Sequence, residues 1–217
     1  MSCMKCGCRM VTKVGRTQAG AAAAMSHTAS LSGDDAIYQA LIEETGAVRA
    51  YSIDEMFRLA QAFSVLPMPL GDRLGVFTAS GGVGTMMADT ASDEGLQLPA
   101  LPSSIADALR KRVAFCSTTN PVDITGQFIA DYEGIFDQTL MAAVGSGAFD
   151  AIVAFLAAGG LSPVLAPKFL DTFRRLRSAA PQLPLVFTGL MTHEHTLEMQ
   201  AMGVLVYEEP SYAITTL

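Results

Sequence analysis

From Arg73 onward, short unbroken apolar runs alternate with longer stretches whose apolar residues recur at helical spacing. Leu74 to Ala79, Ala151 to Ala157, Leu185 to Thr188 and Val204 to Tyr207 are runs of the kind found in strands buried on both faces, and Leu96 to Leu98 is a shorter one. Between them the spacing predicts helices over Thr85 to Glu94, from Ser103 or Ser104 to about Val113, from about Asp131 to Ala143, over Val164 to Ser178 and over Glu194 to Met202. Gly81 to Gly84 reads as a glycine turn joining the first strand to its helix, and Cys116 to Gln127 as a loop.

The front of the chain has a different rhythm. Met10 to Val14 can finish a short strand, and Gly15 to Gly33 reads as a long loop that includes an alanine-rich run. Asp34 is placed to cap a helix carrying Ile37, Tyr38, Leu41 and Ile42, which Gly46 ends. Val48 to Tyr51 is briefly extended, and Ser52 with Glu55 forms a capping-box pattern ahead of Met56, Phe57, Leu59, Ala60 and Phe63. Pro67, Pro69 and Gly71 then interrupt the chain, so a boundary is expected between a first region, 1–66, and a second, 72–217. Strands alternating with helices call for parallel pairing and right-handed crossovers. The expected fold of the second region is α/β, a flavodoxin-like doubly wound parallel sheet of about five strands. Its ligands should gather beyond the carboxyl ends of the strands.

Composition narrows the partners. Half of the 217 residues are hydrophobic and the net charge is −7, which argues against nucleic acid or an anionic membrane surface as the main partner. No apolar run is long enough to span a bilayer, and Met1 to Met10 lacks the apolar region of a signal peptide, so a cytoplasmic protein is expected. Cys3, Cys6 and Cys8 crowd the start without a recognisable second ligand pair, and Cys116 supplies none. No metal site is expected, and the start reads as an irregular reduced tail.

Three places carry candidate chemistry. His27 lies among Ser26, Thr28 and other small residues, where an imidazole can act as a nucleophile; a lone histidine of this kind is also commonly a satisfied loop residue. Ser80, Gly81, Gly82, Val83 and Gly84 sit where a strand feeds a helix, so their amides with the helix dipole favour an anion. The same glycines serve equally well for tight strand–helix packing, and they match neither the dinucleotide fingerprint nor a P-loop. Asn120 and Asp123 flank Pro121 and Val122 in a loop that either supports the site or is held by local side-chain bonds. Thr188 and Gly189 end another strand on the same side. His193 and His195 read as surface residues, and Arg174, Arg175 and Arg177 as a solvated face.

Two ordered blocks of residues carry a resemblance. Lys13-Val14-Gly15-Arg16-Thr17, Ala19-Gly20, Ser26-His27-Thr28 and Leu31-Ser32-Gly33-Asp34 form the first. Gly81-Gly82-Val83-Gly84, Ala88-Asp89, Gly95-Leu96-Gln97-Leu98-Pro99 and Asn120-Pro121-Val122-Asp123 with Thr125-Gly126 form the second. Together they resemble the NDP-forming acyl-CoA synthetases, relatives of succinyl-CoA synthetase that include the ADP-forming acetate–CoA ligases. The resemblance covers roughly residues 11 to 217 and departs at Ala29, where the family usually has glycine.

The resemblance implies that 1–66 is the tail of a succinyl-CoA ligase-like domain, a strand–loop–helix remnant of a fold similar to that of the second region. It implies that 72–217 is a flavodoxin-like ligase-CoA domain. It also implies that His27 is phosphorylated in turnover and that Ser80 to Gly84 cradle the phosphate, with Ser26, Thr28, Asn120 and Asp123 in supporting positions. No tightly bound cofactor is expected; CoA, ATP or ADP, and magnesium would be substrates of the complete enzyme. The partners implied are CoA-binding and ATP-grasp domains or subunits and a small carboxylic acid. A rival expectation is a non-catalytic flavodoxin-like module that binds a phosphate-bearing ligand or a partner subunit. Flavin binding is a poorer third, since Trp is absent and no Ser- and Thr-rich phosphate loop follows the first strand.

Overall fold

A computed structural model describes residues 9–28 and 32–217, with the Thr28 side chain outside the description. Cys3, Cys6, Cys8 and Ala29 also lie outside the described residues. The chain divides into two compact units, one ending at Ser64 and the other running from Val65 to Leu217.

In the first unit, β1 (Met10–Val11) pairs in parallel with β2 (Val48–Arg49), Met10 opposite Val48. Three helices accompany them: α1 (Gln18–Thr28), α2 (Asp35–Glu44) and α3 (Ile53–Val65). The Asp34 carboxylate accepts the Ala36 N–H at 2.8 Å and caps α2; Gly46, at φ 61°, follows its carboxyl end. Ser52 Oγ accepts the Glu55 N–H at 3.0 Å ahead of α3, and the Glu55 carboxylate reaches back to the Tyr51 N–H at 2.7 Å. The core here is Met10, Ala50 and Leu59, with Met56, Ala60 and Phe63 packed against it.

The expected loop from Gly15 to Gly33 is therefore corrected over Gln18–Thr28, which is helix. Alanine has the highest helix propensity of any residue, and Gly20 to Ala24 supplies four of them in succession. Thr17 starts the turn, its hydroxyl accepting the Gly20 N–H at 3.1 Å. No described residue of α1 is fully buried, so local propensity rather than packing accounts for the helix.

The second unit holds β3 (Leu74–Thr78), β4 (Val122–Asp123), β5 (Ala151–Phe155), β6 (Leu185–Thr188) and β7 (Val204–Tyr207). All pair in parallel, in the order β4-β3-β5-β6-β7. Counted within the unit this is second-first-third-fourth-fifth, the flavodoxin order, with the strand order reversing between β3 and β5. On one face α4 (Gly81–Asp93) and α9 (Pro210–Thr215) pack together; on the other, α5 (Ser103–Arg112), α6 (Gln138–Ser146), α7 (Ala166–Ala179) and α8 (His193–Ala201) pack in sequence. That second layer buries an aromatic chain of Phe128, Tyr132, Phe136, Phe169, Phe187 and Phe173, with neighbouring ring centroids 5.4–6.3 Å apart.

Five strands were expected, but one is a different segment. Leu96 to Leu98 makes a single parallel bridge, Gln97 to Arg73, and is no strand. The edge of β3 is shared along its length. The Gln97 carbonyl accepts the Leu74 N–H at 2.8 Å; the Asn120 side chain takes the next groups; β4, inside the expected Cys116–Gln127 loop, takes the rest. The expected helix from Asp131 is a π-helical turn, Glu133–Asp137, before α6 begins, and α9 lies beyond the last expected element.

Arg175 and Arg177 also depart from the expected solvated face. Arg175 holds the buried Asp137 carboxylate, which also accepts the Thr172 hydroxyl at 2.8 Å. Arg177 donates to the carbonyls of Pro181, Leu183 and Gly203, and burial pulls its pKa down. Arg174, paired with Glu198 at 2.8 Å, remains at the surface. His193 is exposed, whereas His195 is half-buried with Nδ1 out of solvent. Thr188 is fully buried, and Gly189 stands at φ 133°, where a side chain would also meet the Ala157 carbonyl.

Candidate functional site

The site in the second unit is built where β3 runs out. Leu74 to Thr78 are all buried, and the chain leaves the sheet at Ala79, whose N–H donates to the Phe155 carbonyl at 3.1 Å. Thr78 fixes the exit: its hydroxyl accepts the Ser80 N–H and donates to the Ser80 carbonyl, both at 2.9 Å. Ser80 is the extended residue before α4 and makes no side-chain cap. The glycines expected to form a separate turn are instead the first turn of the helix itself, with the Gly84 N–H closing on the Ser80 carbonyl at 2.9 Å. The amides of Gly81, Gly82 and Val83 precede the first intrahelical bond, and Gly81 and Gly82 are exposed. Three uncapped amides at the positive end of a helix of 13 residues attract an anion by about 0.3–1 kcal/mol at an exposed site.

A cavity of about 340 Å³ opens beside these amides. One wall is α4, through Gly81, Gly84, Thr85 and Ala88; the other is the loop carrying Ser117, Thr119, Pro121 and Asp123. Gly84 sets how closely the walls approach, since a Cβ there would lie 2.9 Å from Thr78 Cγ2 and 3.3 Å from Pro121 Cβ. Asp123 Oδ1 accepts the Thr125 N–H at 2.8 Å, and Oδ2 lies 3.0 Å from where a Cβ on Gly81 would stand. Asp123 is thus a carboxylate beside the amino end of α4, and among the described residues it is the one charged group lining the cavity. Thr125 holds φ 55°, a left-handed value that is strained for a β-branched residue, with its hydroxyl accepting the Gln127 N–H.

Asn120 also lines the cavity, but its amide points into the sheet. Oδ1 accepts the Val76 N–H at 3.0 Å, and Nδ2 donates to the carbonyls of Leu74 at 2.7 Å and Pro99 at 3.0 Å. The residue is 6 % exposed, so these bonds use its hydrogen-bonding capacity inside the fold. Its effect on the site is exerted by holding Pro121 and Asp123 in place. Cys116, just ahead of the loop, is half-buried, and burial pushes its thiol pKa up.

The first unit presents His27 in the last turn of α1, exposed, with Ser26 beside it donating its hydroxyl to the Ala23 carbonyl at 2.8 Å. Basic residues of the first unit shape the segments that flank this helix. Lys13 donates to the Gly15 carbonyl at 3.4 Å and lies 4.9 Å from the Tyr38 ring centroid. Arg49, nearly buried, bonds Asp35 at 2.6 Å and Gln39 at 2.8 Å and lies over the Tyr51 ring. Its guanidinium holds the Asp35 carboxyl below the usual carboxylate range. Gly15 and Gly33 both have positive φ, and a Cβ on either would strike Ser32 or Tyr38.

The residue pattern alone does not single out Thr78, Thr85, Ser117 or Thr119 as part of the site. One signal is present: Gly81, Gly84, Thr85 and Ala88 recur at helical spacing with no large side chain among them, which marks a helix face left open. Among the described residues no group of three His, Cys, Asp or Glu is placed to hold a metal ion, and no helix is long and apolar enough to cross a membrane.

Comparison with known proteins matches both blocks. Residues 10–63 match the succinyl-CoA ligase like flavodoxin domain and residues 74–175 the ligase-CoA domain. The chain belongs to the NDP-forming acyl-CoA synthetase family. It is 35% identical over 216 residues to the acetate–CoA ligase (ADP-forming) I subunit alpha of Pyrococcus furiosus, covering 96% of this chain and 45% of that protein. It is 31% identical to acetate–CoA ligase (ADP-forming) II of Archaeoglobus fulgidus, covering 96% of this chain and 31% of that one. A solved structure, the dinucleotide-forming acetyl-coenzyme A synthetase 1 of Ca. Korarchaeum cryptofilum in complex with phosphate and ADP, superposes with a TM-score of 0.79 at 29% identity. That match covers 95% of this chain and 45% of the other. The chain thus spans less than half the length of these relatives.

Proposed function

We propose that this chain is part of an acid–thiol ligase that forms acyl-CoA from a carboxylic acid and CoA, with interconversion of NTP and NDP through a phosphohistidine at His27. The observation that carries the reading is the uncapped amino end of α4, Gly81 to Val83, with Gly81 lining a cavity at the carboxyl end of β3. A phosphoryl group on an imidazole bears close to two negative charges. Fixed main-chain donors stabilise such a group without reorganising as it forms. His27 supplies the carrier: it is exposed, on a helix of small residues, and a neutral ring nitrogen has the lone pair that attacks phosphorus.

In the acyl-CoA-consuming direction, phosphate displaces CoA from the acyl group, giving an acyl phosphate and the free thiol. The histidine nitrogen then takes the phosphoryl group, releasing the carboxylate. The terminal oxygen of NDP takes the same group from the histidine, giving NTP and restoring the imidazole. Each transfer breaks one bond to the acyl carbon or phosphorus as another forms, and all are reversible. Ser26 and Thr28 support the phosphoryl group, while Asp123, through the Thr125 N–H that its carboxylate accepts, and Asn120 act indirectly by holding the loop beside α4. The remaining parts, CoA-binding and ATP-grasp domains or subunits, complete the enzyme, with magnesium accompanying the nucleotide. These substrates place its work in the cytoplasm.

Incubating the chain with those partner subunits, magnesium and ATP labelled in its terminal phosphate tests this. The expected result is acid-labile, alkali-stable label on wild type and none on His27→Ala. Equal labelling of the two, or none on either while CoA and ADP still bind, would leave a non-catalytic module as the better account.

A further inference from the structure

Asp123 has one carboxylate oxygen in use and one to spare. Oδ1 accepts the Thr125 N–H at 2.8 Å, whereas Oδ2 has no hydrogen-bond partner among the described residues. Oδ2 lies 3.0 Å from where a Cβ on Gly81 would stand, and that position is two bonds, roughly 2.5 Å, from the Gly81 nitrogen. The spare oxygen is therefore within about 5.5 Å of the first uncapped amide of α4. A hydrogen bond from that amide spans about 2.9 Å and a charge-assisted O–H···O bond about 2.6 Å, so one tetrahedral oxyanion reaches both. The carboxylate is held in place by its own backbone, which exchanges two bonds of 3.0 Å with Ser117 and pairs with β3. Among the described residues no lysine or arginine lines the cavity to offset its charge.

The two neighbours ask different things of an anion. Amides at a helix amino end attract negative charge of any kind, and more of it more strongly. An ionised carboxylate can only accept, so it rewards an oxygen that carries a proton and repels one that does not. Inorganic phosphate near neutral pH keeps at least one P–OH; sulfate, equally tetrahedral and at least as charged, keeps none. We propose that Asp123 makes the amino end of α4 selective for a proton-bearing tetrahedral oxyanion, phosphate, and against a fully ionised one such as sulfate. Phosphate sits with its ionised oxygens on the amides and its P–OH donating to Asp123 Oδ2. The inference rests on the phosphoryl-cradle reading for the place of the anion, and gives Asp123 a direct contact in addition to its hold on the loop. A phosphoryl group on an imidazole, once fully ionised, has no such proton and is left to the amides alone, which favours its departure.

The test titrates the full chain with sodium phosphate, sodium sulfate and sodium monofluorophosphate near neutral pH and at constant ionic strength, following the amide resonances of Gly81, Gly82 and Val83. On wild type, phosphate should half-saturate these shifts at a concentration lower than sulfate by about tenfold or more. Monofluorophosphate, in which P–F replaces P–OH, should fall with sulfate, showing that the proton and not the central atom is read. Asp123→Asn keeps Oδ1 on the Thr125 N–H and sets an NH₂ where Oδ2 stood. Sulfate should then gain, and the two anions should come within about twofold of each other. A purely structural role for Asp123 would weaken both alike and leave their ratio unchanged. Sulfate or monofluorophosphate matching phosphate on wild type, or a tenfold preference surviving in Asp123→Asn, overturns the assignment while the cradle stands. The wild-type comparison decides by itself should the variant fail to fold. If none of the three anions moves these amides, the cradle falls and the assignment with it.

Discussion

Residues 9–64 bury Met10, Ala50 and Leu59 at the centre of their core, beneath a pair of two-residue strands. Residues 65–217 bury a five-stranded sheet under two helical layers, with a chain of aromatic rings running through one of them. The same contrast runs through the chemistry. In the larger unit the candidate anion site consists of main-chain amides whose positions follow from a fully buried strand. In the smaller unit His27 sits on a helix with no fully buried described residue. On the function proposed above, the receiving site must hold its donors still, and burial does that; the carrier must give up its group, and an exposed side chain on a lightly packed helix leaves it free to do so.

Substitutions that separate packing from chemistry sharpen this comparison. The largest expected effect is Phe187→Ala, at a fully buried ring touching Phe169 and Phe173, which should cost about 3–5 kcal/mol in denaturant unfolding. Next is Asn120→Ala, which leaves the Val76 N–H and the carbonyls of Leu74 and Pro99 buried without partners and should cost on the order of 3 kcal/mol. Asn120→Asp should be no milder, since it keeps the acceptor but sets a carboxylate against two carbonyls. In the smaller unit Leu59→Ala removes a side chain from a sparse core and should cost ~2 kcal/mol, read from amide exchange within residues 9–64. Should Leu59→Ala prove as costly as Phe187→Ala, the contrast between the units fails.

The smallest expected effect is electrostatic. Bonding to Arg49 holds the Asp35 carboxyl below its ordinary value, and bonding to Arg73 does the same for Asp150. Each carboxylate therefore contributes stability that is fully present above the ordinary aspartate pKa, about 3.9, and is lost as pH falls through the depressed value. Thermal midpoints should drop below about pH 4, and Asp35→Asn should flatten that drop for amides of the smaller unit while leaving the larger one unchanged.

How much of this was legible in the sequence depends on whether a segment's partner is encoded locally. The strands at Leu74, Ala151, Leu185 and Val204 announce themselves because each is apolar throughout and bounded by turns. Leu96 to Leu98 has the same look. Yet it gives β3 only the Gln97 carbonyl, because the Asn120 side chain and β4 occupy the adjoining positions. A strand of two residues, Val122–Asp123, cannot be told from a loop by periodicity. Helix α1 was hidden for the opposite reason: without an apolar stripe it offers no pattern, only alanine propensity. The glycines and His27 were visible as residue types. That the glycines lie within the helix, and that its open face continues to Ala88, depends on geometry that the letters do not spell out.

The Asn120 side chain has one more consequence, for how copies of the protein behave toward one another. Because β4 covers only the last part of β3, the Leu74 carbonyl and the Val76 N–H would otherwise offer a template for strand addition by a neighbouring molecule. A single amide, presenting both an acceptor and donors, terminates that template with the same chemistry a further strand would use. Its removal should therefore raise the tendency to self-associate at high concentration, beyond what lost stability alone would produce.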